Sequence, residues 1–302
     1  MASVSLDLDN HWAYLKARGD EHWRDYPSYL EVAAPRITAF FNQLAIKPTI
    51  FVVGKDLDLD NGISAVTLFH QAGFEIGNHS ENHRADFHGL EPAEIAADIR
   101  ECESKILKLT GARPIGFRGP SFQISDHIAA ILIERQYIYD ASSYPTSIGP
   151  LARAYHFFNA KLSAAERDKQ KHLFGGFSNA FSRLDSYEWQ VNGSSITEVP
   201  VTTMPLLRLP IHFTYLNYLA DKSVQLAKFY FNVACRLLRL TNTQPSLLLH
   251  ATDFLGTSDE LVPDFLPGMK RDYTEKLAFL EYVFRHLSQY YKFSGIAESL
   301  RK

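Results

Sequence analysis

Two cysteines in 302 residues, Cys102 and Cys235, are too few for a disulfide framework. Cys102 falls on the apolar side of a predicted helix, where a free thiol acts as a small buried hydrophobe. No window approaches roughly 18 uncharged apolar residues, so no membrane-spanning helix is expected. Basic residues are not in excess: 31 Lys and Arg face 34 Asp and Glu, a formal charge of −3, which leaves no broad cationic surface for nucleic acid. Internal repeats and low-complexity tracts are missing, which excludes solenoids and disordered arrays. The opening Met1-Ala2-Ser3 has no basic region ahead of an apolar one, so an export signal is not expected and the reducing cytoplasm is the expected compartment. What the chain has in quantity is apolar and aromatic: 46% hydrophobic residues, 21 Phe and 15 Tyr. That composition suits one large α/β domain or two small ones.

The order of elements narrows this. A strand is expected from Ala2 to Asp9, with Asp7 and Asp9 two apart and therefore on one face. Two carboxylates together at a strand end are costly unless a cation lies there. A helix from Pro35 to Leu44 carries Ile37, Phe40, Phe41 and Leu44 on one stripe. Pro48 to Gly54 is a continuous apolar run, as in strands buried on both faces. A helix from Ile63 to Gln71 stops at Gly73, and Phe74 to Gly77 forms the next strand. The strongest helical pattern is Ile95, Ile99, Cys102, Ile106 and Leu109, ending at Gly111. A strand runs from Pro114 into a turn at Pro120, a helix covers Ile128 to Ile133, and another strand covers Tyr137 to Asp140. Repeated strand–helix alternation argues for a parallel α/β barrel or a doubly wound sheet.

The alternation then breaks. Residues 146–185, with Phe174-Gly175-Gly176-Phe177, read as an inserted cap. Trp189 to Pro200 reads as a hairpin about Asn192-Gly193. Leu206 to Leu240 reads as helical. Ser246 to His250 is a last buried strand. Asp272 opens a closing helix, with Glu275 in capping-box position and Leu277, Leu280, Phe284 and Leu287 inward. The chain is expected to be a single domain over 1–302 with a cap insertion at about 146–240.

Polar chemistry recurs at the strand C-termini: Asp7 and Asp9, His79 and His83, Arg118, Asp140, His250. In parallel α/β folds that is the face where active sites form. His79 and His83 are four apart in Gly77-Asn78-His79-Ser80-Glu81-Asn82-His83, and on a helical turn both imidazoles would reach one metal ion.

These residues, in this order, resemble the polysaccharide deacetylase family, also called the NodB-homology or carbohydrate esterase family 4. The carriers are the acidic pair, Thr49-Ile50-Phe51-Val52-Val53-Gly54, the segment Gly77 to His83, the turn Arg118-Gly119-Pro120-Ser121-Phe122, and Leu247-Leu248-Leu249-His250. The resemblance implies a distorted (β/α)7 barrel, with an inserted helical cap in this chain, and one divalent metal, zinc above others. It implies Asp9, His79 and His83 as ligands, Asp7 as general base and Arg118 as its partner. His250 becomes the acid for the leaving amine, and the Phe122 backbone N–H, beside Pro120, a donor to the oxyanion. Departures are visible. Leu8 separates the two aspartates, so base and ligand can be exchanged between them. Phe122 stands where a tyrosine is common. The acid–Trp motif that tunes the catalytic histidine is not recognisable, leaving Asp253 or Asp140 to replace it. His88 and Asp86 are spare ligand candidates.

The resemblance implies removal of an N-acyl group, acetyl or formyl, from an aminosugar. The aromatic stretch from Met204 to Tyr218, followed by Lys222, Lys228, Arg236 and Arg239, reads either as core or as a surface that meets a membrane or lipid. With no export signal expected, the substrate reading is a lipid- or nucleotide-linked N-acyl aminosugar of cell-envelope glycan biosynthesis, polyprenyl phosphate being one carrier, handled at the inner face of the membrane. Two alternatives stand beside it: a ureide or cyclic-amide hydrolase of the allantoinase kind, and a non-catalytic carbohydrate-binding protein on the same barrel.

Overall fold

The computed structural model describes residues 1–170, 181–260 and 264–301. Its frame is a nine-stranded, mostly parallel sheet curled into a distorted barrel. The strands are β1 (Ala2–Asp7), β2 (Thr49–Val52), β3 (Glu75–Asn78), β4 (Gly116–Phe117), β5 (Tyr139–Asp140), β6 (Tyr187–Val191), β7 (Ser194–Glu198), β8 (Ser246–His250) and β9 (Phe293–Ser294). Their order is β6-β7-β5-β4-β3-β2-β1-β8, with β9 paired to the start of β1. Only β6 runs antiparallel to its neighbour among these pairs. The helices are α1 (His11–Ala17), α2 (Leu30–Gln43), α3 (Asp60–Gln71), α4 (Pro92–Thr110), α5 (Asp126–Glu134), α6 (Gly149–Asn159), α7 (Ala164–Lys169), α8 (Phe213–Ala220), α9 (Val224–Leu240), α10 (Tyr273–Leu287) and α11 (Ile296–Leu300). No helix among the described residues is long and apolar enough to cross a membrane.

Strand alternation separates the two sides of the wall. On β1, Val4 and Leu6 join the main apolar cluster with Leu8, Ile37, Phe41 and Phe284. Ser5 and Asp7 point the other way, into the barrel, where both meet Arg118. Lower in the lumen Phe51, Tyr139 and Ala141 pack on Ile296 of α11. α11 is pinned there by Ile296 N–H to Thr49 Oγ1 (2.8 Å) and Ala297 N–H to Glu75 Oε2 (3.1 Å). Among the described residues no strand ladder joins β7 to β8, and the seam is bridged by Thr202 N–H to Ser246 O (3.0 Å).

Register sets the working rim. Across the sheet, Glu198 pairs with Asp140, Asp140 with Phe117, Phe117 with Asn78, and Asn78 with Val52. On the far side Phe51 pairs with Asp7, and Asp7 with His250. The residues just past these, His79 and Arg118, therefore start at one level.

Several sequence expectations shift. β1 ends at Asp7, so Asp9 lies beyond the strand and reaches the rim from the following turn. α2 begins at Leu30, a turn and more before Pro35; the missing Pro35 N–H is tolerated because Leu30, Ala33 and Ala34 are buried in the core. The stretch from Leu206 to Leu240 is two helices, α8 and α9, broken at Asp221, Lys222 and Ser223, with Ser223 capping α9 through Leu226 N–H. Its first residues are a turn with left-handed Leu206 and Arg208. Asp272 caps α10 through the Thr274 N–H, while Glu275 turns to Arg271 at 3.6 Å, so no capping box closes. The stretch 146–240 is not cap throughout: α6 and α7 lie outside the barrel, but β7 belongs to its wall. The segment between α6 and α7 is joined to the C-cap of α1 through Lys161 N–H to Arg18 O (2.8 Å). Phe174, Gly175, Gly176 and Phe177 lie outside the described residues. The hairpin turns at Asn192 and Gly193, both at positive φ (53° and 82°), as a two-residue turn of this kind requires.

Candidate active site

Asp9, His79 and His83 converge above the C-terminal ends of β1 and β3, each offering a donor atom within 4.8 Å of the others. Asp9 Oδ1 lies 3.3 Å from His79 Nε2 and 3.1 Å from His83 Nε2. It is buried and has no hydrogen-bond partner, and neither has His83 Nδ1. His79 Nδ1 lies 2.6 Å from the Arg118 carbonyl, so Nδ1 carries the proton and Nε2 keeps its lone pair for the cluster. Burial works against charge on Asp9, yet attraction to His83 and His79 holds its carboxyl well below the usual range. One carboxylate and two imidazoles with lone pairs turned to a common point fit a divalent cation.

The histidine pair does not meet on a helix. Residues 79–83 form a loop with left-handed Ser80 (φ 66°) and His83 (φ 44°). This loop is held from three sides. Asn78 Oδ1 accepts from Ser80 N–H (2.8 Å), and Ser80 Oγ accepts from His83 N–H (3.1 Å). Asp98 of α4 accepts from Glu81 N–H (2.7 Å) and from the Asn82 side chain (3.0 Å). Gly54 N–H donates to Ser80 O (2.9 Å), and a Cβ on Gly54 would strike Glu81 Oε2 at 2.0 Å. Asp9 is fixed in the same way: the Tyr29 hydroxyl donates to its carbonyl, and Asn10 next to it bonds Asp56 Oδ1 at 2.9 Å. Asp98, Tyr29 and Asp56 escaped the sequence reading because each arrives from a distant segment without a motif.

Asp7 lies 3.9 Å from His79 Nε2 and 4.0 Å from His250 Nε2, both through Oδ2. Its other oxygen, Oδ1, accepts from Arg118 Nη1 at 2.7 Å. Arg118 is fully buried, donates through Nε to Ala141 O (2.9 Å) and through Nη1 to Ser5 Oγ (2.9 Å), and lies over the Phe51 ring at 4.4 Å. Pro120 is buried in the turn after Arg118. Phe122 N–H donates to Gly119 O at 3.1 Å within that turn, and Ser121 and Phe122 are both left-handed. The Phe122 ring rests on Tyr144, 4.7 Å between centroids.

The two acids expected near His250 divide. Asp253 reaches it: Oδ2 accepts from the His250 backbone N–H (2.9 Å) and from the Thr214 hydroxyl (3.0 Å). Asp140 pairs instead with Glu198, with Ser142 Oγ donating to it at 2.7 Å. The spare ligands also stand apart: His88 bonds Gln123 and Asp86 pairs with Arg84. His212, 6.0 Å from the His250 ring, is pushed down to about 3 by burial and by its neighbour, and so is neutral. No motif marks it beyond its place among aromatics.

Burial raises the Asp140 carboxyl, and burial with the Asp140 charge raises Glu198 well above the usual range. The folded chain therefore holds protons that the unfolded chain has released. The sign follows: this pair favours the fold in the ordinary carboxylate range and below, and opposes it as pH climbs. Urea midpoints are expected to fall between about pH 5 and about pH 9, and Glu198→Gln to flatten that slope. An unaltered slope would remove the pair as its source.

Residues 23–139 match the family model for polysaccharide deacetylase. That segment, from just past α1 to β5, is what this chain shares with the polysaccharide deacetylase family model. Solved structures share this fold over nearly the whole chain. A Mycobacterium smegmatis protein named as a polysaccharide deacetylase matches with a TM-score of 0.63 at 15% identity, covering 99% of this chain and 88% of its own. One so named from Pseudomonas aeruginosa PAO1 matches with a TM-score of 0.52 at 14% identity, covering 97% and 86%. PuuE allantoinase matches with a TM-score of 0.53 at 15% identity, covering 97% and 85%. At these identities the likeness is one of fold. No curated protein is detectably similar in sequence. The barrel thus carries its polar residues on the rim where the strand register places them.

Proposed function

We propose that the chain is a metal-dependent hydrolase that removes an N-acyl group, acetyl or formyl, from an aminosugar. The observation that carries this reading is the joining of Asp9, His79 and His83 to Asp7, Arg118 and His250 in one buried cluster. Asp9, His79 and His83 would hold the cation, and their donor set suits zinc. When bound, such an ion supplies Lewis acidity toward the acyl oxygen and the attacking water.

The chain's own residues supply the proton transfers. Arg118 donates to Asp7 Oδ1, leaving Oδ2 to take the proton from water. His250 gives the proton from Nε2 to the leaving amine as the C–N bond breaks. The turn after Arg118 carries the Phe122 N–H, which meets the oxyanion if its bond to Gly119 opens. A binding protein on a decayed site would not need this full set, so its completeness favours an enzyme.

The lipid-linked form of the substrate draws support from the surface. Of the stretch from Met204 to Tyr218, Met204, Ile211, Phe213 and Leu216 are core. Leu206 and Leu207 are 76% and 55% exposed on a turn bonded to Ser147 just before α6, and Phe158 in the last turn of α6 is 89% exposed. Such a rim suits a polyprenyl carrier at the inner face of a membrane. The metal-loaded protein is expected to release acetate or formate from an undecaprenyl-phosphate N-acylhexosamine. Release from free chitooligosaccharides alone would sink the lipid-linked form. The likeness to PuuE allantoinase favours one second reading, a ureide hydrolase, which turnover of allantoin would establish in its place.

A further inference from the structure

We propose that Thr214 is a positioning residue for the acid of the reaction: its hydroxyl, in the first turn of α8, links the Asp253 carboxylate to Nδ1 of His250. The inference rests on the deacylase reading above and adds to it a side chain that no motif marked.

The hydrogen-bond inventory leaves one arrangement. Thr214 Oγ1 lies 2.9 Å from His250 Nδ1 and 3.0 Å from Asp253 Oδ2. A hydroxyl has one proton to give, and a carboxylate can only accept. The threonine proton therefore goes to Asp253, and Nδ1 must bring its own proton to Oγ1. His250 is thereby held with Nδ1 protonated and with Nε2 turned to the cluster, 4.0 Å from Asp7 Oδ2. The carboxylate is itself fixed: it is 2% exposed, Oδ2 accepts the His250 backbone N–H, and Oδ1 accepts from Asn217 Nδ2 at 3.2 Å.

The surrounding charges agree with this role. His250 faces Asp7 on β1, neutral His212 ahead of α8, and Asp253 through Thr214. Lys276 of α10 lies behind, its Nζ donating to Thr252 O at 2.9 Å. Asp140 is not in the set, being occupied by Ser142 and Glu198. When the C–N bond breaks, its electron pair stays on nitrogen and takes the Nε2 proton of His250. The ring is left neutral with Nδ1–H still on Thr214. The acceptor at the far end of the hydroxyl keeps this tautomer before and after the transfer.

The test is a ratio. An amide leaving group needs the proton; 4-nitrophenolate does not. Thr214→Val, which keeps the volume, is expected to lower the ratio of N-acyl aminosugar turnover to 4-nitrophenyl acetate turnover by ~10–100-fold. The loss should fall on kcat and not KM. Thr214→Ser should restore most of the ratio. Asp253→Asn should lower it in the same sense, which keeps the test alive if the valine variant does not fold. A ratio that valine leaves in place, or that serine fails to restore, overturns the proposal. A wild-type protein that hydrolyses neither compound overturns the deacylase reading instead.

Discussion

Replacing Asp7 with asparagine is expected to lower kcat by ~10²–10⁴ while bound metal stays stoichiometric. Asparagine keeps an acceptor for Arg118 Nη1, so the 2.7 Å contact has a successor, but it cannot take a proton from water. Asp9→Asn is expected to do the reverse in the first instance, lowering metal content, because Asp9 Oδ1 is the oxygen set between His79 and His83. Metal analysis of the two variants decides the assignment that Leu8, by separating the aspartates, left open. If Asp7→Asn loses the ion and Asp9→Asn keeps it, the two roles must be exchanged.

The second large effect is on stability. Arg118→Met is expected to cost about 3–5 kcal/mol in urea unfolding. The Asp7 carboxylate would remain, 3% exposed, without its cation, and Ser5 Oγ and Ala141 O would lose a donor. The double variant Asp7→Asn with Arg118→Met removes the stranded charge and should recover about half of the loss or more. Additive losses would mean that the pair does not act as a unit. Both variants are best compared as apo-protein, since a bound cation would itself screen Asp7.

Much of this site could be read from the chain because parallel strands deliver their last residues to one rim. Asp7, His79, Arg118 and His250 each follow a short apolar run, and period and position suffice to group them. The helical reading of His79 and His83 failed on backbone: Ser80 and His83 are left-handed, a cost that Asp98 and Asn78 offset with fixed hydrogen bonds. Nothing near His79 in sequence announces Asp98 on the next helix. Pro35 misled because proline favours the first turn of a helix; here Leu30 and Ala33 in the core outweigh one missing hydrogen bond. Thr214 was invisible for a related reason. It is an ordinary residue of an aromatic stretch, and only the approach of α8 to β8 gives its hydroxyl two partners.

The level pairing of Glu198, Asp140, Phe117, Asn78 and Val52, and of Phe51, Asp7 and His250 one step below, bears on how such a chain can drift in length. Losing Leu6 from β1 would make Ser5 and Asp7 neighbours on opposite faces, so that one of them leaves Arg118 and the lumen. The same loss between α4 and β4, or between α5 and β5, falls in a turn at the opposite rim and leaves that row in place. Indels should therefore collect at the lower rim, and libraries that vary loop length belong there, whereas the strands tolerate changes of letter far better than changes of count.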